Sequence, residues 1–190
     1  MRTWFTADLH LGHEAIIKHQ PETRPFTSME EMENTIIGNI NELVKPEDML
    51  YILGDFCWKN SRVNHYRSRI KCKRIILIKG NHEPKGNDKL RTAFSEVYDL
   101  RKIKVGEQEI VLCHYAMRVW NKSHRGVWHL YGHSHGSLAD WPDLLSMDVG
   151  IDCHNLKPIS FEEVRERMWK KNWKPIDHHG DENHRGYTDS

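Results

Sequence analysis

Short apolar runs that stop abruptly on polar residues organise the first half of the chain. Thr3 to Ala7 reads as a buried strand ending at Asp8-Leu9-His10-Leu11-Gly12-His13. Met49-Leu50-Tyr51-Ile52-Leu53 reads as a second strand ending at Gly54-Asp55, and Arg74-Ile75-Ile76-Leu77-Ile78 as a third leading to Gly80-Asn81-His82-Glu83. Between the first two, Met32, Ile36, Ile37, Ile40, Leu43 and Val44 recur at helical spacing. Ser28-x-x-Glu31 opens that helix with a capping-box pattern, and Pro46 closes it. A short helix is expected from Arg62 to Ile70. Strand, helix, strand, helix, strand predicts parallel βαβ units, whose carboxyl edge is where open α/β sheets place ligands.

Beyond residue 95 the texture changes. Val97 to Val105 and Glu109 to Cys113 flank Gly106-Glu107-Gln108, which predicts an antiparallel hairpin. Val127 to Tyr131 and Ser146 to Val149 read as further strands, and Ser160-Phe161-Glu162-Glu163 opens a final helix with a second capping box. The mixture predicts an α/β fold in which a two-sheet β-sandwich is flanked by helices. The domain is expected to span 1–169, followed by a polar C-terminal tail, 170–190. A surface-wrapping tail is the plainer reading there, and a separate metal site through His178, His179 and His184 the sharper one.

A chain of 190 residues suits one domain with a sizeable core. Its 28 Lys+Arg against 27 Asp+Glu give a net charge of +1, so any anion it binds must be attracted locally. No apolar run is long enough to span a bilayer, and the first residues lack a secretory pattern. Cys57, Cys72, Cys113 and Cys153 follow no C-x-x-C spacing, so reduced thiols in a cytoplasm are expected. The 14 histidines are the anomaly, and they raise the expectation of a transition-metal site.

Five clusters carry that expectation: Asp8-x-His10, Gly54-Asp55, Gly80-Asn81-His82-Glu83, His114 and Gly132-His133-Ser134-His135. At a strand end, residues two apart point the same way, so Asp-x-His and His-x-His can each aim both side chains at one ion. Gly54, Gly80 and Gly132 each precede a candidate ligand and let the backbone turn sharply into the site. Two carboxylates, four imidazoles and one carboxamide suffice for two ions sharing one carboxylate. Mixed N/O ligation without thiolates favours Mn, Fe, Zn or Co. Two divalent ions and two carboxylates leave about +2, a charge suited to a phosphate.

The ordered series D-x-H, G-D, G-N-H-E, H, G-H-x-H, running from residue 8 to residue 135, resembles the calcineurin-like metallophosphoesterase superfamily, in particular small bacterial, archaeal and phage phosphoesterases. The resemblance implies an α/β/β/α fold with a dinuclear site at strand ends. It implies one ion on Asp8, His10 and His135, another on Asn81, His114 and His133, and Asp55 bridging them. Two divalent transition-metal ions are implied, Mn first, with Zn, Fe, Ni or Co as alternatives. A hydroxide bridging the ions would attack phosphorus, and His82 would protonate the leaving oxygen.

The expected substrates are phosphodiesters or nucleotide-like phosphate esters. The alternatives are a phosphomonoesterase or single-strand nuclease of the same superfamily, or a non-catalytic metal-binding scaffold. Protein phosphatases of the superfamily read G-D-x-V-D-R-G, whereas this chain reads Gly54-Asp55-Phe56-Cys57-Trp58-Lys59-Asn60, which disfavours a phosphoprotein substrate. The second Asp of that motif, which orients the catalytic histidine in those enzymes, is Trp58 here. His13 and Arg118, close in sequence to His10 and His114, are candidates for binding a phosphate oxygen. The basic run from Lys59 to Lys79 reads as a solvated face or a phosphate contact, and Trp120, Trp128 and Trp141 as core packing or base stacking. Nucleic acid is a less favoured partner, no membrane partner is expected, and no motif specifies an oligomeric state. Glu83 is expected to support a ligand, and Asp152 and His154 carry no assigned role.

Overall fold

The computed structural model describes residues 1–83 and 88–177. The strands are β1 (Thr3–Thr6), β2 (Met49–Leu53), β3 (Arg74–Ile78), β4 (Glu96–Tyr98), β5 (Leu100–Val105), β6 (Gln108–Cys113), β7 (Trp128–Tyr131), β8 (Ser146–Asp148) and β9 (Ile159–Ser160). The helices are α1 (Ala15–His19), α2 (Met29–Leu43), α3 (Val63–Arg69), α4 (Asp88–Arg91) and α5 (Phe161–Trp169). One sheet has the order β4-β3-β2-β1-β9, parallel except for β9. The other has the order β5-β6-β7-β8, a β5–β6 hairpin continued by two parallel neighbours. This is the two-sheet, helix-flanked α/β architecture that the apolar pattern predicts.

The central strands of the first sheet are buried on both faces. Leu50 and Ile52 of β2 pack with Ile36, Ile40 and Tyr66 beneath the helices. Tyr51 and Leu53 pack against Ile110, Leu112, Leu130 and Met147 between the sheets. Burial on both faces is why β1 to β3 read as continuous apolar runs rather than as alternating ones. Both helix N-terminal patterns form caps. Ser160 and Glu163 make both arms of the box on α5. On α2, Ser28 Oγ accepts from Glu31 N at 3.2 Å, but the Glu31 carboxylate turns outward to Thr27 N and Oγ1, at 3.1 and 3.0 Å.

One expected element is corrected. The single strand expected over Val97 to Val105 is two strands in two sheets, with the change at Asp99. β4 pairs in parallel with β3, whereas β5 pairs antiparallel with β6. A change of sheet leaves the local apolar pattern intact, so periodicity alone cannot reveal it. Gly106 and Glu107 form the hairpin turn, and Gln108 already belongs to β6, opposite Val105.

Past α5 the chain stays against the body. Lys171 Nζ donates to Trp141 O and Ser146 O at 3.2 and 2.6 Å, Trp173 packs on the inter-sheet core, and Lys174 N donates to Asp143 O at 3.2 Å. His178, His179 and His184 lie outside the described residues. All four cysteines are free, and no helix among the described residues is long and apolar enough to cross a membrane.

Candidate metal centre

The carboxyl ends of β1, β2, β3, β6 and β7 meet at one edge of the sandwich. The loops after β1 and β2 are zipped together by Asp8 N to Gly54 O (3.1 Å), His10 N to Asp55 O (2.9 Å), Leu11 N to Phe56 O (3.2 Å) and Trp58 N to Leu11 O (2.9 Å). Gly132 N donates to His114 O at 2.9 Å and joins the loops after β6 and β7 in the same way. Five of the eight non-glycine residues with positive φ among the described residues are candidate ligands: Asp8, His10, Asp55, His133 and His135. Left-handed backbone at such residues costs about 1–3 kcal/mol each and concentrates where function demands it. Gly54, with φ +91°, could not be replaced there, because a Cβ would stand 2.2 Å from His114 Nδ1. A Cβ on Gly80 would stand 2.4 Å from Asp55 Oδ1.

The ligand atoms fall into overlapping groups, each within 4.8 Å: Asp8 with His10 and His135, His10 with Asp55 and His82, and Asp55 with His114 and His133. Asn81 joins the last group, its Oδ1 standing 3.0 Å from His114 Nε2 and 3.1 Å from His133 Nδ1. His133 and His135 therefore turn to different groups, as the family resemblance implies, and not to one as i, i+2 spacing at a strand end suggests. Both have left-handed φ, 69° and 47°, as have Asp8 and His10, 58° and 49°, whose side chains do share a group.

Proton positions follow from the partners. His114 Nδ1 lies 2.7 Å from Leu53 O, a carbonyl that only accepts, so Nδ1 carries the proton and Nε2 offers a lone pair. His135 Nδ1 lies 2.7 Å from Asp152 Oδ2, which leaves its Nε2 as a lone pair as well. His10 Nε2 is buried without a partner, 3.5 Å from Asp55 Oδ2. Asp55 Oδ1 accepts from His82 N at 3.0 Å, and Oδ2 faces His10 Nε2 and, at 3.6 Å, His114 Nε2. Acceptors thus face acceptors around the cluster, an arrangement that a cation resolves. Imidazole, carboxylate and carboxamide donors without thiolate suit divalent transition metals. The residues fit such ions.

Burial sets the charge states. It lowers the His10 pKa to about 2, with Arg24 adding repulsion, and it lowers that of His114, so both rings are neutral and able to ligate. Burial also raises the Asp8 carboxyl well above its usual range; Asp148 and Asp55 add to this, and the His133 N–H partly offsets it. His133 N donates to both Asp8 oxygens, at 3.1 and 2.9 Å.

Supporting residues surround the cluster, and Glu83, expected from the sequence to support a ligand, is one of them. Glu83 accepts from Asp55 N (3.0 Å), Phe56 N (2.8 Å) and Gly80 N (2.6 Å), and so clamps the loops after β2 and β3 together. Arg24, fully buried, donates from Nε and Nη2 to Asp152 at 2.9 and 2.7 Å, and from Nη1 and Nη2 to Leu9 O and Asp8 O at 3.2 and 2.6 Å. Burial alone would raise the Asp152 pKa, but its bonds to Arg24, His135 and Thr23 hold it below the usual carboxylate range. Glu33, also buried, accepts from Gly12 N and Tyr66 Oη at 2.9 and 2.7 Å. No local motif marks Arg24 or Glu33. Asp152 stands out only as an acid just after a strand.

The remaining candidates divide. His13 Nδ1 lies 3.3 Å from His10 Nδ1, beside the cluster. Arg118 is exposed, lines a separate apolar pocket with Met117, Leu138 and Trp141, and has no hydrogen-bond or ion-pair partner among the described residues. In the basic run, Arg67 is bound to the carbonyls of Ala93, Ile70 and Cys72, Arg69 to Asn34 and Lys79 to Asp99, so these three have structural partners. Trp120 and Trp128 are core residues, Trp141 is half-exposed, and His154 donates from Nε2 to Asp148 O at 2.9 Å.

Comparison with known proteins follows the same line. A family model for calcineurin-like phosphoesterases matches residues 1–190. An uncharacterized protein of Methanocaldococcus jannaschii is 28% identical over 170 residues, covering 86% of this chain and 89% of its own. The gene 66 protein of Mycobacterium phage D29 is 27% identical over 197 residues, covering 87% and 94%. The crystal structure of a protein of unknown function from Aquifex aeolicus aligns with a TM-score of 0.70 at 26% identity, over 87% of this chain and 98% of that one. With a family match that runs its whole length, on a sandwich whose strand ends gather metal-competent side chains, the chain belongs to the calcineurin-like phosphoesterases.

Proposed function

We propose that this protein hydrolyses phosphodiesters or nucleotide-like phosphate esters at a pair of divalent metal ions, Mn first among them, with Zn, Fe, Ni or Co as alternatives. The observation that carries this reading is the place of Asp55 Oδ2, 3.5 Å from His10 Nε2 and 3.6 Å from His114 Nε2, so that one carboxylate faces both ligand groups. Asp8, His10 and His135 would hold one ion, and Asn81, His114 and His133 the other, with Asp55 between them. Bound there, the ions supply an activated water and neutralise charge on the phosphate. The chain supplies orientation and a proton. Asp8, His10, Asp55 and His114 form a buried floor, while Asn81 and His133 are exposed at the face a substrate would approach. His82 is half-buried, with Nε2 3.9 Å from Asp55 Oδ2, and would protonate the leaving oxygen as general acid.

A small ester is favoured over a long polynucleotide, because the net charge is +1 and Arg67, Arg69 and Lys79 are already engaged. A phosphomonoester or a short single strand is the second choice, and the four free thiols support a cytoplasmic setting. The test is metal-free protein reloaded with Mn, Zn, Ni or Fe and assayed on an aryl monoester, an aryl diester and cyclic nucleotides. Activity on the diester is expected; two bound metals with no activity on any substrate would overturn the reading. His82→Ala should retain both metals and lose about 10²- to 10⁴-fold in turnover on an alkyl phosphate ester. Full activity in that variant would remove His82 from the mechanism.

A further inference from the structure

Trp58 is a large apolar side chain left 42% exposed at the edge of the metal centre. It is not loosely placed. Its amide donates to Leu11 O at 2.9 Å, and the neighbouring Cys57 bridges to Leu11, so the loops after β1 and β2 fix it jointly. One face of the indole lies flat on the His13 ring, with centroids 3.9 Å apart and planes inclined by 5°. The same indole meets the His82 ring at 4.8 Å and 47°.

The imidazole of His82 has no hydrogen-bond partner among the described residues, although its backbone N–H is held by Asp55. Beyond hydrogen-bond distance, the Asp55 carboxylate faces its Nε2 at 3.9 Å, and three rings pack around it: His10 at 5.3 Å, edge-on, His13 at 6.2 Å, and Trp58 nearest of the three. A half-exposed imidazole without a bonded partner keeps its rotamer only as far as packing confines it. Of the three neighbours, His10 is held in the buried floor, and His13 is held by the indole on its face and by His10 at its edge. Removing the indole would take away the nearest ring against His82 and the stack that holds the face of His13.

We propose that Trp58 is the positioning residue for His82: its indole, stacked on His13, confines the His82 ring at the angle from which it reaches the leaving oxygen. The catalytic consequence rests on the phosphoesterase reading above, whereas the confinement does not. A general acid loses effectiveness steeply when it is misplaced, with about 100-fold at stake for a displacement near 1 Å. The loss should fall on esters whose leaving group needs a proton and spare those whose leaving group departs unaided.

The experiment compares wild type, Trp58→Ala and Trp58→Phe in zinc-supplemented protein. The ring carbon–proton correlation of His82 is read by NMR, assigned from its disappearance in His82→Gln. Bound zinc and turnover on an alkyl and a nitrophenyl ester are measured alongside. In Trp58→Ala, the His82 signal should shift and broaden, zinc content should hold, and kcat on the alkyl ester should fall by about 10- to 100-fold with little change on the nitrophenyl ester. Trp58→Phe should restore most of both. An unmoved His82 signal, equal losses on the two esters, or loss of zinc would each overturn the proposal. If wild type reloaded with Mn, Zn, Ni or Fe hydrolyses neither ester, the phosphoesterase reading fails, while the NMR comparison on the zinc-supplemented protein still decides whether Trp58 confines His82.

Discussion

Asp152 holds two things at once. It is the carboxylate partner of a fully buried guanidinium, and it fixes the tautomer of a candidate ligand, since Arg24 and His135 both donate to it. Asp152→Asn should therefore act on stability and on metal binding together. Leaving Arg24 buried without its charge partner should cost about 3–5 kcal/mol, read from the urea unfolding midpoint. Freeing His135 should weaken metal binding by about 10- to 100-fold, read by chelator competition. A variant as stable as wild type would show that Arg24 finds another partner.

His129 makes a separate prediction. Its fully buried ring lies between Val111 O and Met117 N, and burial lowers its pKa from 6.5 to about 4. Above pH 6.5 the ring is neutral whether the chain is folded or not, so its contribution is fully present. As pH falls from 6.5 toward 4, only the unfolded chain takes up the proton, and stability is lost by up to about 3 kcal/mol. Unfolding midpoints at pH 7.5, 6 and 4.5 should fall in that order, with a shallower slope in His129→Gln.

Among the elements, the two caps differ in a measurable way. Ser160 Oγ accepts from Glu163 N at 3.2 Å, and the Glu163 carboxylate returns to Ser160 N and Oγ at 2.9 and 2.7 Å. Ser28 has only the first of these arms and is exposed. Ser160→Ala should cost about 1–2 kcal/mol and Ser28→Ala about half as much, by urea titration. Both caps were legible in the sequence because a cap spans four consecutive residues. So were β1 to β3, whose runs are apolar on both faces. The split at Asp99 was not, because β4 and β5 obey the same local pattern and differ only in distant partners.

For the whole molecule, the candidate ligands come from both sheets. Asp8, His10, Asp55 and Asn81 follow strands of the first, and His114, His133 and His135 follow strands of the second. Ions held between them would tie the two sheets and stabilise the five left-handed residues, so chelation should lower the thermal midpoint and re-addition of metal should restore it. An unchanged midpoint on chelation would place the ligand groups outside the folding equilibrium.

Taken alone, the sequence determined β1 to β3 and β6 to β8, the sandwich class and the polar clusters at strand ends, because apolar period and residue type are written in consecutive residues. It did not determine what Glu83 clamps, or that Trp58 lies against His82. Nor did it pair Arg24 with Asp152, 128 positions away. Those depend on loops from separate strands meeting at one edge, and only packing the two sheets together brings such loops within a few ångströms.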